Sequence, residues 1–405
     1  MVSPNGELFT VDPAGSEPTQ LTGGLRAGEG SSRSPQAEQL RINEYYTWPT
    51  WSADGTKLAA SRVIVEESGA EIVLQVLDAR TGRSDTVYEN SQAGLIADGA
   101  PHYIYWAPTG DQVSFLSSTP EGLGLFVWDG VFGSPAVQID RGAPLYYQWS
   151  NDAQAMALHV GPELIWVIHP HSESSRESFQ TAGNFRAPAV SPNGSTLAYV
   201  DRTVEGTALY VAPTSDLSQA KQVLDLGWSS SIMWSPDGTQ IAVADQSVPM
   251  AQLFDRLMLV PADGGAPASL VSKNSVDNIW AFFWAPDGGR LAWVTVNGAN
   301  QELELMVSSI NSLETQNIFD FRPSAEIFIM MSFFDQYAHS HSLWSPDGQS
   351  LVVAGSKGES SRRSNGRTPT GDRIYVLDAN GMKGPRDLGP GVPVSYTHLT
   401  LPTKA

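Results

Sequence analysis

Short apolar stretches alternate along this chain with polar turns, and one boundary between them recurs. An apolar stretch ends in Trp, a small residue and Pro-Asp-Gly follow, and a second apolar stretch begins. Met233-Trp234-Ser235-Pro236-Asp237-Gly238 before Gln240-Ile241-Ala242-Val243-Ala244 is the clearest copy. Such a boundary predicts a β-hairpin, because Gly accepts a positive φ and Asp hydrogen-bonds the turn backbone. Aligned on the Trp position, seven copies fall at Trp51, Trp106, Trp149, Val190, Trp234, Trp284 and Trp344, at intervals of 55, 43, 41, 44, 50 and 60 residues. A third strand follows each hairpin, as in Glu71–Asp78, Ala208–Val211 and Arg373–Asp378, and then a short fourth. Four antiparallel strands repeated every 40 to 50 residues or so make the blades of a radial all-β fold. In this reading the turn aspartates serve turn formation, and the repeated Trp packs one blade against the next.

The unit Trp-Ser-Pro-Asp-Gly, followed by Gln-Ile-Ala-Val, a Leu-Tyr-Val third strand and a terminal Gln-Leu-Thr, resembles the WD40-like repeat of TolB and of prolyl-oligopeptidase propellers. The resemblance covers nearly the whole chain and implies an all-β β-propeller of about eight four-stranded blades. It implies little about function, since propellers carry adaptors, peptidase gates and lyases alike.

The two ends predict an incomplete closing blade shared between the termini. Gly6–Asp12 resembles a third strand and Pro18–Thr22 a fourth, while Gly391-Val392-Pro393 reads as the run-in to a further copy of the repeat. Residues 394–405 do not continue it; Val394–Thr403 matches the in-frame translation of a transposase-adapter sequence used in DNA library preparation. The expected organisation is therefore one propeller domain over residues 1–393 with a non-native tail. Met1 opens directly into Val2-Ser3-Pro4 with no signal-peptide pattern. A periplasmic or extracellular protein whose signal lies upstream is the expectation, with a cytoplasmic protein as the alternative.

Composition narrows the partners. A net charge of -19 with only 24 Lys plus Arg repels polyanions, so nucleic acid is excluded as a partner. No run of 18 apolar residues is present, so no membrane insertion is expected. Without Cys there are no disulfides, thiol nucleophiles or thiolate metal sites. No Gly-x-Ser-x-Gly elbow, phosphate loop or His-Glu-x-x-His occurs, and Gly227-Trp228-Ser229-Ser230-Ser231 fails as an elbow.

The connections from one blade's fourth strand to the next blade's first all reach one face, so residues just before the aligned Trp should converge at a channel mouth. Tyr46, His102, Tyr146, Arg186, Trp280, Asp335, Tyr337, His339 and His341 are the candidate ligand-binding residues there. The long connection Phe319–His341 carries an apolar run that predicts a short helix or lid. His102, His339 and His341 belong to blades too far apart to share a metal, so neither a metal nor a cofactor is expected. His169 and His171 are placed in a blade turn, and the basic loop 357–367 and the stretch 28–35 in solvated connections. Together these point to a noncatalytic, monomeric scaffold that binds a protein, peptide or glycan at its channel mouth. The alternative is the gating propeller of a prolyl-oligopeptidase-like serine peptidase.

Overall fold

The computed structural model describes residues 1–15, 17–23, 44–66, 69–93, 101–170, 175–180, 186–204, 206–249, 251, 253–270, 278–297, 302–357 and 372–391. The tail 394–405, the stretch 28–35, His171 and residues 358–367 of the basic loop lie outside them.

Seven blades follow in chain order. A hairpin of β1 (Phe9–Thr10) and β2 (Thr19–Gln20) precedes them. The first blade comprises β3 (Glu44–Trp51), β4 (Lys57–Glu66), β5 (Gly69–Asp78) and β6 (Ser84–Ala93); the second, β7 (His102–Trp106), β8 (Val113–Thr119), β9 (Gly122–Trp128) and β10 (Val137–Arg141). The third holds β11 (Leu145–Trp149), β12 (Ala155–Val160), β13 (Glu163–Ile168) and β14 (Ser175–Gln180), and the fourth β15 (Ala189–Val190), β16 (Thr196–Arg202), β17 (Thr207–Pro213) and β18 (Lys221–Leu226). The fifth has β19 (Ser230–Trp234), β20 (Gln240–Asp245), β21 (Arg256–Pro261) and β22 (Ala268–Ser269), and the sixth β23 (Ile279–Trp284), β24 (Arg290–Asn297), β25 (Glu302–Ser309) and β26 (Thr315–Pro323). Helices α1 (Ala325–Ser332) and α2 (Phe334–Tyr337) intervene before the seventh, β27 (Ser350–Lys357), β28 (Arg373–Asp378) and β29 (Arg386–Pro390). All pairings are antiparallel and follow chain order.

The repeated turn forms as its chemistry dictates. Ser235 Oγ donates to Asp237 Oδ1 (2.6 Å), Thr239 N–H donates to the same oxygen (3.0 Å), and Gly238 sits at φ +71°. The Ser hydroxyl beside Asp152, Asp237 and Asp347 holds each carboxyl below the usual range. These aspartates are therefore occupied in the turns.

The repeated Trp locks the blades together. Trp106, Trp234, Trp284 and Trp344 each donate their indole N–H to a main-chain carbonyl of an earlier blade's first strand: Thr50 (2.9 Å), Ala189 (2.9 Å), Met233 (3.2 Å) and Phe283 (2.9 Å). Each acceptor immediately precedes the repeat position of that blade. Trp149 reaches the same place through a relay, since it donates to Ser114 Oγ (2.8 Å), which donates to Tyr105 O (2.9 Å). Where Val190 replaces Trp, Gln148 Oε1 accepts from the Val190 main-chain N–H instead (2.8 Å). Removing an indole donor orphans a buried carbonyl, at about 1–3 kcal/mol. Trp234→Phe is accordingly expected to destabilise the fold by that amount, measured by urea unfolding; an unchanged midpoint would count against the latch.

The amino-terminal hairpin stands between the first and seventh blades. Tyr46 N–H donates to Gly6 O (2.9 Å), and the Arg386 guanidinium donates to Pro13 O. It thus stands in the place of an eighth blade, of which two strands lie among the described residues.

The seventh blade departs from the repeat. Its first strand is interrupted: Phe321, Arg322 and Pro323 of β26 pair with Lys357, Ser356 and Gly355 of β27, while at the other end Trp344 bridges Leu351. Both ends of the inner edge of β27 are therefore paired, in keeping with the cost of leaving backbone groups unsatisfied. Between them the chain leaves the sheet to form α1 and α2. Sheets of the sixth and seventh blades thereby merge into one of seven strands. Among the described residues no helix is long and apolar enough to cross a membrane.

Candidate functional site

Residues 324–343 run from the face carrying the blade-to-blade connections, through the channel, to the face carrying the Pro-Asp-Gly turns. Ser324 starts α1, its Oγ accepting from Ile327 N–H (3.3 Å), and Glu326 complements the helix dipole. Ile327, Met330 and Met331 turn inward, whereas Phe328, Ile329 and Phe333 stay 43–50% exposed. α2 then fills the channel. Phe334 is fully buried against the edges or faces of Phe254, Phe282 and Phe283, with ring centroids 4.9–6.2 Å apart. Gln336 Oε1 accepts from Tyr147 N–H of β11 (3.3 Å).

Tyr337 occupies the centre. Its ring stacks on Trp48 (5.1 Å) and meets Tyr103 (5.4 Å) and His341 (5.6 Å) edge-on. Trp48 and Tyr103 both lie three residues before the repeat position, at φ +51° and +47°, in strands whose register shifts there. Side chains other than Gly enter this region at a cost, and bulges re-aim side chains. Here the two bulges accompany two rings that grip the plug.

The sequence-derived candidates separate into three groups. Asp335, Tyr337 and His341 are at most 4% exposed and belong to the plug rather than to an open mouth. Ser231 Oγ donates to Asp335 Oδ2 (3.1 Å), while Oδ1 has no partner among the described residues. Ser340 Oγ bonds His341 Nδ1 (2.7 Å), Nε2 is without a partner among the described residues, and burial pulls the imidazole pKa down to about 3. Tyr146, Arg186 and Trp280 remain partly exposed around the plug. Tyr146 stacks on His159 (5.7 Å), and its hydroxyl pKa is raised by burial and by Asp335, with Arg186 opposing. The Arg186 guanidinium lies over the Phe254 ring (5.3 Å), and Trp280 meets Phe328 edge-on (4.8 Å). The last group is scattered. Tyr46 packs with Val2, Leu8, Leu58 and Leu77 in the wall beside the amino-terminal hairpin, its hydroxyl bonded to Gln75 Oε1 (2.9 Å). His102 opens β7. His339 lies at the opposite end of the channel, stacked on Tyr105 (6.1 Å).

Thus the expected single mouth is a filled channel with two different ends. Sequence reasoning missed Trp48 and read Phe334 and Gln336 only as part of the long connection; it also missed Asn151, which stands where five other copies have Pro108, Pro192, Pro236, Pro286 and Pro346. That departure from the repeat was the available signal. Among the described residues no group of three or more His, Asp or Glu side chains is placed to hold a metal.

No family model matches the chain, and no curated protein matches it. Solved structures do. Oligogalacturonate lyase from Vibrio parahaemolyticus is similar at 13% identity, covering 83% of this chain and 86% of that one with a TM-score of 0.52. The β-propeller domain of the Trilobed protease from Pyrococcus furiosus aligns at 10% identity over 85% and 98% of the two chains, TM-score 0.52. TolB from Acinetobacter baumannii is also similar, at 15% identity over 84% and 78%, TM-score 0.43. At such identities the likeness establishes the fold: the chain is a β-propeller, as its WD40-like repeat predicted.

Proposed function

We propose that this propeller is a noncatalytic scaffold that docks a protein segment carrying basic and apolar side chains on the face covered by α1. The observation that carries this reading is the plug. A gating propeller passes peptides through an open channel, whereas Phe334 and Tyr337 fill this one, which leaves the end faces for recognition. On the α1 face, Phe328, Ile329 and Phe333 stand exposed, Phe328 against Trp280, and Trp228 in the connection between the fourth and fifth blades is 53% exposed. Clustered apolar side chains on a surface mark interaction sites, and aromatic rings dominate binding energy at interfaces. Charge supplies the second half of the partner's description. The Asp372 carboxyl has its pKa raised by burial and by the neighbouring Glu326 carboxylate, and the whole chain carries -19. A cationic segment relieves that repulsion and is steered toward the face.

A short amphipathic Lys/Leu peptide, with a Glu/Leu peptide of equal apolar content as control, tests this by fluorescence anisotropy. The Lys/Leu peptide is expected to bind, and the double variant Phe328→Ser, Ile329→Ser to weaken it about ten-fold. Equal binding of the Glu/Leu peptide, or undiminished binding by the double variant, would sink the reading.

A further inference from the structure

The other end of the channel carries a different chemistry. Where the plug emerges among the Pro-Asp-Gly turns, two cavities of about 240 and 340 Å³ open beside it. His339 and Asn151 line both. Four tryptophans stand among the remaining lining residues, Trp51 and Trp106 in one cavity and Trp234 and Trp284 in the other, Trp51 being the most exposed of them. Three of these are already held by their latch hydrogen bonds, so the aromatic walls are preorganised.

Among the described residues no Asp, Glu, Lys or Arg lines either cavity, in a chain of which 17% is charged. A charged ligand would lose its hydration there without gaining a counter-ion, and desolvating an unpaired charge is costly. Hydrogen-bonding capacity is nevertheless on offer. His339 has no hydrogen-bond partner among the described residues, and burial lowers its pKa to about 4. At neutral pH its ring therefore presents one donor and one acceptor. Asn151 spends one amide hydrogen on Pro192 O (2.8 Å), while its amide oxygen has no partner among the described residues. Aromatic walls with a few converging neutral donors and acceptors suit a ligand with apolar ring faces and a rim of hydroxyls.

We propose that these cavities form a binding site for an uncharged oligosaccharide, its rings against the indole walls and its hydroxyls bonded to His339 and Asn151. The site is independent of the docking face, which lies at the opposite end of the channel.

Titration of the intact chain with chitotriose, cellotriose and maltotriose, followed by tryptophan fluorescence and calorimetry at neutral pH, tests it. At least one of the three is expected to bind saturably at concentrations up to about 10 mM, with trigalacturonate about ten-fold weaker or silent. His339→Ala and Asn151→Ala should each weaken the bound sugar about ten-fold, and His339→Gln, which keeps a donor and an acceptor, by less. Asn151 lies in an exposed turn, so its variant keeps the test open should His339→Ala fail to fold. The docking-face double variant should leave sugar affinity unchanged. Absence of saturable binding by all three neutral sugars, trigalacturonate binding as well as they do, or full affinity in Asn151→Ala would overturn the proposal.

Discussion

Replacing Phe334 by Ala is expected to destabilise the protein by about 3–5 kcal/mol, the range for deleting a fully buried aromatic ring. Phe334 is where the plug meets the inner strands of the sixth blade, and all three of its aromatic neighbours are themselves buried. Phe328→Ala, six residues earlier in the same insertion and 50% exposed, should cost about 1 kcal/mol or less. Urea unfolding of the two variants side by side separates a plug that holds the ring of blades together from a lid resting on it. Similar small losses in both would mean that the channel tolerates an empty centre.

Acidification is expected to weaken the fold well above the carboxylate range. His341 is neutral in the folded state, with a pKa near 3 against an ordinary value of 6.5. Below pH 6.5 the unfolded chain takes up a proton that the folded chain refuses, so stability falls as pH drops from about 6.5 toward 3, by roughly 1.4 kcal/mol per unit. His339 acts in the same direction down to about pH 4. Its contribution is smaller, because its ring opens onto the two cavities. The turn aspartates, whose folded pKa values are depressed, add a separate loss that begins only as pH falls toward the ordinary carboxylate pKa of about 4. Unfolding free energies at pH 7, 5.5 and 4.5, compared between the native chain and His341→Gln, isolate the histidine effect. The variant should show a shallower decline over this window; parallel curves would mean that His341 is charged in the fold.

The blades were legible because their signals are local and repeated. A Ser hydroxyl, an Asp carboxylate and a Gly at positive φ make the same turn wherever they occur, and the Trp that precedes them meets the same carbonyl one blade back. Copies that deviate still obey the geometry, as Val190 shows by substituting a main-chain donor to Gln148. The site was less legible for a physical reason. Side chains on a strand alternate between faces, so a position counted back from Trp points into the channel or into the wall according to register. The bulges at Trp48 and Tyr103 alter that register, so Trp48 reaches the plug while Tyr46, two residues before it, packs in the wall. The plug itself was foreseen only as a short helix or lid. An apolar run such as Ile327–Phe334 says that a segment is buried, but not that it replaces the middle of a strand and descends through the fold's axis.

The shared sheet of the sixth and seventh blades has a mechanical consequence. Elsewhere among the described residues main-chain bonds between blades are few, as at the Phe254–Ile279 bridge of the fifth and sixth blades and the Ala136 N–H to Val87 O bond of the second and first, and most blade contacts are made by side chains. Across β26 and β27 the joint is instead made of main-chain hydrogen bonds, so these two blades form one stiff sector, with the plug rooted at both ends within it. The ring is therefore expected to flex about the opposite sector, and the paired backbone amides of β26 and β27 should be among the slowest in the molecule to exchange with solvent.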